Sequence, residues 1–218
     1  MYQELERRRN YMSFMVAMKT NNGVIIASDS YSTYPSRGLK DGNYKKIHCM
    51  KENELYIGIV GLNQVIKIED NSQADDINDI LPHFFSDITS FEELQLQINQ
   101  FAYYVKPTCD NECKDISCVF IYKKMMTSLD VLHGKGYYLK IWNDNESDIL
   151  FMGEEYHKII ARSQFHQADL NLSLKDSLNK CIQTIENAIH EEAKLFEENK
   201  RVVGGPIQYM ILDYGHIE

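Results

Sequence analysis

Hydroxyl, carboxylate and ammonium side chains follow one another near the N-terminus, at Ser13, Asp29 and Lys46. A serine hydroxyl is a poor nucleophile until a neighbouring base takes its proton, and charged side chains beside that base change its protonation. A fold that gathered these three groups could therefore cleave an amide bond by acyl transfer. Taken singly, each residue also fits an ordinary role, because serine often begins a strand, aspartate opens turns and lysine is usually solvated.

The cysteines and histidines give little indication of a metal site. Cys109, Cys113 and Cys118 are separated by three and four intervening residues, whereas zinc sites prefer closer pairs and need a fourth ligand. We expect a loop pair and a core thiol. The seven histidines, which include His48 and His133, show no paired ligand spacing on a helix, and no metal site is predicted.

Composition narrows the class of protein. The chain has 218 residues with 23 basic and 32 acidic side chains, which gives a formal net charge of −9. This length suits one domain. The pI near 5.3 and the lack of a basic cluster beyond residues 7–9 remove the electrostatic basis for nucleic-acid binding.

The sequence also argues against membrane insertion and export. The longest apolar stretches, at residues 13–18 and 55–62, fall far short of the roughly 18 residues that a membrane span needs. The N-terminal sequence MYQELERRRNYM carries charges but no apolar core of a secretory signal. We therefore expect a cytosolic protein whose five cysteines are reduced.

The first sixty residues read as strands. Two β-branched runs flank Asn21-Asn22-Gly23, which predicts a hairpin over residues 13–30. A second pair of runs, KKIHCMK and LYIGIVG, is separated by the polar turn at residues 52–54 and ends at Gly61.

Helices are predicted next, followed by more strands and a long helix. The spacing of apolar residues changes over residues 62–105, where Ser90 is the predicted cap of an amphipathic helix. Strands are predicted at ISCVFIY, TSLDVL, YYLKIW and DILFMG. One apolar stripe marks a long helix from Ser173 to about residue 199, and PIQYMILDY forms a last strand.

The order of these elements determines the fold class. Strands and helices are segregated instead of alternating, which argues against βαβ units. The pattern favours an α+β fold with two antiparallel sheets and helices outside them.

One segment resembles a known family. The sequence GVIIASDS at residues 23–30 is similar to the Gly-Val-Val-Leu-Ala-Ala-Asp segment on the second strand of proteasome-type N-terminal nucleophile hydrolases, which include bacterial proteasome β-subunits. The family's nucleophile lies sixteen residues before that aspartate, and here that position is Ser13. The resemblance covers residues 13–215 and implies a four-layer αββα sandwich over residues 13–218, with residues 1–12 as an extension or propeptide.

The resemblance also implies roles for residues. Ser13 would be the nucleophile once it became the first residue, with its own amine as the base. Lys46, which precedes Ile47 as in the family, would adjust the protonation of the nucleophile, and Asp29 would hold Lys46. The amide of Gly61 would help to form the oxyanion hole. The substrate would be a peptide or a small amide, no metal or organic cofactor is implied, and self-association into a homo-oligomer is expected; whether a regulatory ATPase takes part stays open.

Departures from the family pattern favour a second interpretation. Processed members usually have glycine before the nucleophile, and this chain has Met12. The aspartate and serine that precede the family's last strand correspond to Lys200 and Val203. A catalytically inactive ring or scaffold subunit is therefore the alternative to a peptidase, and an amidase for small substrates is a third possibility.

Overall fold

The computed structural model describes residues 13–34, 39–66, 74–112, 114–197 and 201–216. Its strands are β1 (Phe14–Lys19), β2 (Gly23–Ser28), β3 (Ser32–Tyr34), β4 (Leu39–Asp41), β5 (Ile47–Lys51), β6 (Leu55–Gly61), β7 (Gln64–Ile66), β8 (Ala74–Asp76), β9 (Ile116–Tyr122), β10 (Met125–Val131), β11 (Tyr137–Trp142), β12 (Asp148–Gly153) and β13 (Gln208–Asp213). Its α-helices are α1 (Ile77–Phe85), α2 (Phe91–Glu112), α3 (Glu155–Arg162) and α4 (Leu174–Leu195). The predicted extension, residues 1–12, lies outside the described residues.

The first sheet contains the predicted N-terminal hairpin. Its strand order is β12-β1-β2-β13, and every pairing is antiparallel. All residues of β1 and β2 are buried, because these strands are central and both faces of the sheet are covered. The amide of Asp29 donates to the carbonyl of Phe14 at 3.2 Å, so the pairing continues one residue past β2.

The second sheet contains the second predicted pair of strands. Its order is β11-β10-β9-β6-β5, again with antiparallel neighbours. β5 and β6 are joined by the predicted polar turn, in which Asn53 takes a positive φ of 58°. The sheets meet closely at Gly58, where an added Cβ would lie 2.6 Å from the sulfur of Met15.

Three apolar cores separate four layers. Helices α1 and α2 pack their buried residues on the second sheet, in a core that includes Phe85, Phe101 and Phe120. A central core between the sheets includes Met15 and Val119, and a third, between the first sheet and α4, includes Ile185. The α+β, four-layer αββα prediction is therefore confirmed.

The middle of the chain differs from the sequence prediction. Residues 62–105 are not helical throughout, because β7 and β8 form a short hairpin before α1. Ser90 does cap α2, since its hydroxyl accepts the amide of Glu93 at 3.1 Å. Helix α2 runs beyond residue 105 and through Pro107 to Glu112.

The C-terminal helices also differ in detail. Ser173 caps α4 as predicted, with its hydroxyl accepting the amide of Asp176 at 3.2 Å. The helix ends at Leu195, short of residue 199, because Phe196 takes an extended conformation. Helix α3, which has eight residues and follows β12, was not predicted.

Candidate active site

A buried ion pair joins the two sheets. Asp29 follows β2 of the first sheet, Lys46 precedes β5 of the second, and the Lys46 Nζ donates to Asp29 Oδ1 at 2.8 Å. The side chains are 2% and 0% exposed respectively. Buried charges are costly unless they are paired and hydrogen-bonded, so the fold must supply further partners.

Backbone amides supply those partners to Asp29. Its Oδ1 also accepts the amide of Phe14 at 2.9 Å, and its Oδ2 accepts the amides of Tyr31 at 3.2 Å and Gly204 at 3.1 Å. These donors come from three separate segments. The carboxylate is therefore fixed in position and aimed at Lys46.

Lys46 is held by its backbone as well as by its ammonium group. Its amide donates to Oε1 of Gln208 at 2.9 Å, and the Gln208 amide group donates in turn to the carbonyl of Tyr44. The carbonyl of Lys46 accepts the amide of Ile59 at 2.9 Å. Burial lowers the pKa of the Lys46 ammonium group, and its interaction with Asp29 opposes that shift.

Ser13 is linked to this pair through the residue that follows it in the chain. It is 7% exposed, and the residue after it, Phe14, donates the amide that Asp29 accepts. The Ser13 hydroxyl donates to the carbonyl of Tyr31 at 3.0 Å. The structure therefore places Asp29 and Lys46 in contact, and Ser13 directly precedes the β1 residue that bonds to Asp29.

Gly153 marks the other side of Ser13. It ends β12 with a φ of +124°, and a Cβ added there would lie 2.2 Å from the carbonyl oxygen of Ser13. Only glycine avoids this contact. The Met152-Gly153-Glu154 segment thus adjoins the candidate nucleophile through backbone and contributes no hydroxyl group.

Gly61 lies at the end of β6, on the strand next to Lys46. Ile59, which bonds to the Lys46 carbonyl, lies two residues before it. Gly61 has a φ of +101°, and an added Cβ would lie 2.3 Å from the carbonyl oxygen of Asp115. The backbone conformation at this predicted oxyanion-hole position therefore requires glycine.

Three participants were not predicted from the sequence: Tyr31, Gly204 and Gln208. Gly204 and Gln208 lie 175 and 162 residues from Asp29 and Lys46, and no local pattern marks pairs so far apart. Tyr31 lies only two residues after Asp29, and an aspartate that accepts the amide two residues on is a common local turn. Of the two residues where the family carries supporting side chains, Val203 is fully buried and Lys200 lies outside the described residues.

No metal centre is found within the described ranges of the chain, where no three His, Cys, Asp or Glu side chains cluster as ligands. Cys118 lies in the core as expected, whereas Cys109, expected in a loop, lies on α2 and is also buried. Burial raises the pKa of the Cys109 thiol to about 12. Cys113 lies outside the described residues. Within the same ranges, no helix is long and apolar enough to cross a bilayer.

Known structures share this architecture. Anbu, an ancestral β-subunit from Yersinia bercovieri, superposes with a TM-score of 0.59 at 14% identity, covering 91% of this chain and 80% of Anbu. An Anbu mutant from Hyphomicrobium sp. strain MC1 gives 0.57 at 11% identity, covering 92% and 81%. The fold is that of the proteasome-like N-terminal nucleophile hydrolases.

A third similar structure supports the same assignment of fold. HslV from Trypanosoma brucei gives a TM-score of 0.51 at 12% identity, covering 92% of this chain and 99% of HslV. Neither a family model nor a curated protein matches the sequence. The proteasome-like fold predicted from residues 23–30 is therefore confirmed at the level of structure.

Proposed function

We propose that this proteasome-like N-terminal nucleophile hydrolase cleaves peptide or other amide bonds through Ser13. The observation that carries the proposal is the buried Lys46–Asp29 pair, 2.8 Å apart and fixed by the amide of the residue after Ser13. A buried ion pair is seldom favourable for stability alone, because desolvation offsets the attraction between the charges. Activation of a serine nucleophile needs a titratable group close to it, and the Lys46–Asp29 pair is bonded to the residue that follows Ser13.

The proposed reaction begins with removal of residues 1–12, which makes Ser13 the N-terminal residue. Its α-amine takes the hydroxyl proton while Oγ attacks the substrate carbonyl. The amine then passes that proton to the departing nitrogen, so the C–N bond breaks and an ester forms on Ser13. Water cleaves the ester by the same route and restores the hydroxyl.

Lys46, Asp29 and Gly61 would support these steps. The Lys46 ammonium group lowers the basicity of the neighbouring amine and stabilises negative charge developing on Oγ. Asp29 orients Lys46. The Gly61 amide stabilises the oxyanion of the tetrahedral intermediate, an interaction that contributes roughly 3 kcal/mol in other enzymes.

The proposal also covers the N-terminal extension, the domain boundary and the assembly of the protein. Residues 1–12 are a removable extension and residues 13–218 form one domain, which self-associates as a homo-oligomer in the cytoplasm. The substrate is a peptide or a smaller amide, and the reaction needs no cofactor.

The mature N-terminus and its reactivity test this proposal. The intact mass of the protein from cells should correspond to a chain beginning at Ser13, and Ser13→Ala should retain residues 1–12. A recombinant chain that starts at Ser13 should form an adduct with a peptide epoxyketone or a β-lactone. A full-length N-terminus in cells together with no adduct on the Ser13-initiated chain would leave the inactive scaffold subunit as the function.

A further inference from the structure

Helix α4 buries a carboxylate that the proposed reaction does not use. Glu192 is 0% exposed and lies one turn beyond Ala188, on the face that packs against the first sheet. Its carboxylate oxygens accept the amide of Val202, at 3.1 Å, and Oε2 also accepts the amide of Val203 at 2.8 Å. Because burying a carboxylate is costly without such donors, the loop at residues 202–204 and Glu192 must be placed together.

The same loop reaches the candidate active site with its next residue. The amide of Gly204 donates to Oδ2 of Asp29, and its carbonyl accepts the amides of Ser30 at 3.0 Å and Tyr31 at 3.1 Å. Three consecutive amides, at residues 202–204, are therefore directed at two buried carboxylates. One carboxylate lies on α4 and the other in the site.

The same loop is connected to the proposed nucleophile through Tyr31. Tyr31, whose amide is held by Gly204, accepts the Ser13 hydroxyl on its own carbonyl. A shift of the loop would thus move a donor of Asp29 and the acceptor of Ser13 at once. Misplacement by about 1 Å can lower a rate about 100-fold even when the changed residue is remote from the chemistry.

We infer that Glu192 is a positioning residue for the proposed hydrolase, because it fixes the loop through which Gly204 orients Asp29 and the Tyr31 carbonyl. This inference rests on the proposed function. His157, whose Nε2 lies 3.9 Å from Glu192 Oε2 and whose ring packs near that of Phe14, belongs to the same buried group. The amides of Val202 and Val203 that Glu192 accepts lie directly before Gly204, so the proposed effect is on the position of this loop.

The test compares Glu192 with its neighbour Glu191, whose side chain is 40% exposed. In the chain that begins at Ser13, Glu192→Leu should lower kcat for a small peptide amide about 100-fold while KM changes little, because the loss concerns orientation and not substrate binding. Glu192→Gln keeps one acceptor oxygen for the loop and should recover part of kcat. Glu191→Gln, which alters only a surface pair with Lys194, should leave kcat unchanged.

A second readout separates this inference from the proposed function. In the full chain, whatever its activity, Glu192→Leu should move the amide resonance of Gly204 and the Lys46 ε-methylene resonance, and Glu191→Gln should move neither. If Glu192→Leu does not fold, Glu192→Gln should still move the Gly204 resonance. A folded Glu192 variant with both resonances unmoved, or with native kcat, would overturn the positioning role.

Discussion

At the scale of single residues, the candidate site depends on Lys46 more than on any neighbouring lysine. Lys46 is buried against Asp29, whereas Lys45 is exposed on the same segment. In the Ser13-initiated chain, Lys46→Ala should abolish peptide turnover, because the positive charge proposed to adjust the protonation of the nucleophile is then lost. Lys45→Ala should retain turnover, and the comparison is made by steady-state kinetics.

The free energy of unfolding of Lys46→Ala and Lys45→Ala must be measured as well as their turnover. Removing one partner of a buried ion pair costs about 3–5 kcal/mol, although the three amide donors to Asp29 reduce the loss here. Turnover must therefore be compared at temperatures where circular dichroism shows both variants folded. A folded Lys46→Ala chain with native turnover would rule out the proposed role.

His48, two residues further along, predicts a pH dependence of stability. Burial, with a smaller contribution from Lys45, lowers its pKa from 6.5 to about 4. Between these pH values the unfolded chain binds a proton that the folded chain does not, so stability is lost as the pH falls through this window. The loss from this group is about 3 kcal/mol.

Denaturant unfolding of wild type and His48→Gln at pH 7 and pH 4 measures this contribution. The decrease in the free energy of unfolding should be smaller in His48→Gln, because glutamine does not titrate. His133→Gln, a change at an exposed histidine, should keep the wild-type decrease. Equal pH dependence in wild type and His48→Gln would contradict the assignment.

Some residues of the candidate site could be identified from the sequence, and others could not. Asp29 and Lys46 were singled out together by their match to the proteasome-type pattern, and the structure shows them in contact; their catalytic roles stay a prediction. Gln208, which binds the Lys46 backbone, could not be predicted, since its partner lies 162 residues away in sequence. Its polar side chain would suit any strand start, and only the folded chain brings it to Lys46.

At the scale of elements, α4 offers a sharp test of packing. Ile185 is fully buried against the first sheet, and the next residue, Glu186, is exposed. Ile185→Asp should lower the free energy of unfolding by several kcal/mol, about 4 or more, because an unpaired charge replaces a packed side chain. Glu186→Ala should change it by about 0.5 kcal/mol at most. Similar melting temperatures for the two variants would contradict the packing of the Ile185 face of α4 against the first sheet.

Elements with long patterns were predictable, and short ones were not. The two hairpins were recognised from apolar runs on either side of a polar turn, and helices α2 and α4 from helical spacing over 22 residues each. Strands β7 and β8 have only three residues each, and α3 has eight, so their sequences contain too little of either period. Helix α4 ended early because Phe196 becomes extended although the sequence beyond it stays compatible with a helix.

For the molecule as a whole, two large apolar side chains exposed on α2 suggest a contact for self-association. Leu96 is 57% exposed and Tyr103 is 69% exposed, and their spacing of seven residues places them on one side of the helix. If this face contacts a second copy, Leu96→Glu should dissociate the oligomer by placing a charge in the contact. Light scattering should then report the 25.4 kDa monomer.

A matched substitution tests the location of that contact. Ile159 on α3 is 60% exposed, close to the value for Leu96, and Ile159→Glu should leave the oligomer intact. A wild-type monomer at high micromolar concentration and several salt concentrations would contradict self-association altogether.

The position of the site between the sheets has a mechanical consequence. In the first sheet, Asp29 follows β2 and Gln208 begins β13. Tyr44 and Lys46 lie just before β5 of the second sheet, so the hydrogen bonds among these residues hold the two sheets together. Sliding one sheet by a single residue, about 3.3 Å, would break all of these bonds at once. The hydrogen on the Lys46 amide can then exchange with solvent only when the contact between the sheets opens, and the opening that admits water also separates Lys46 from Asp29.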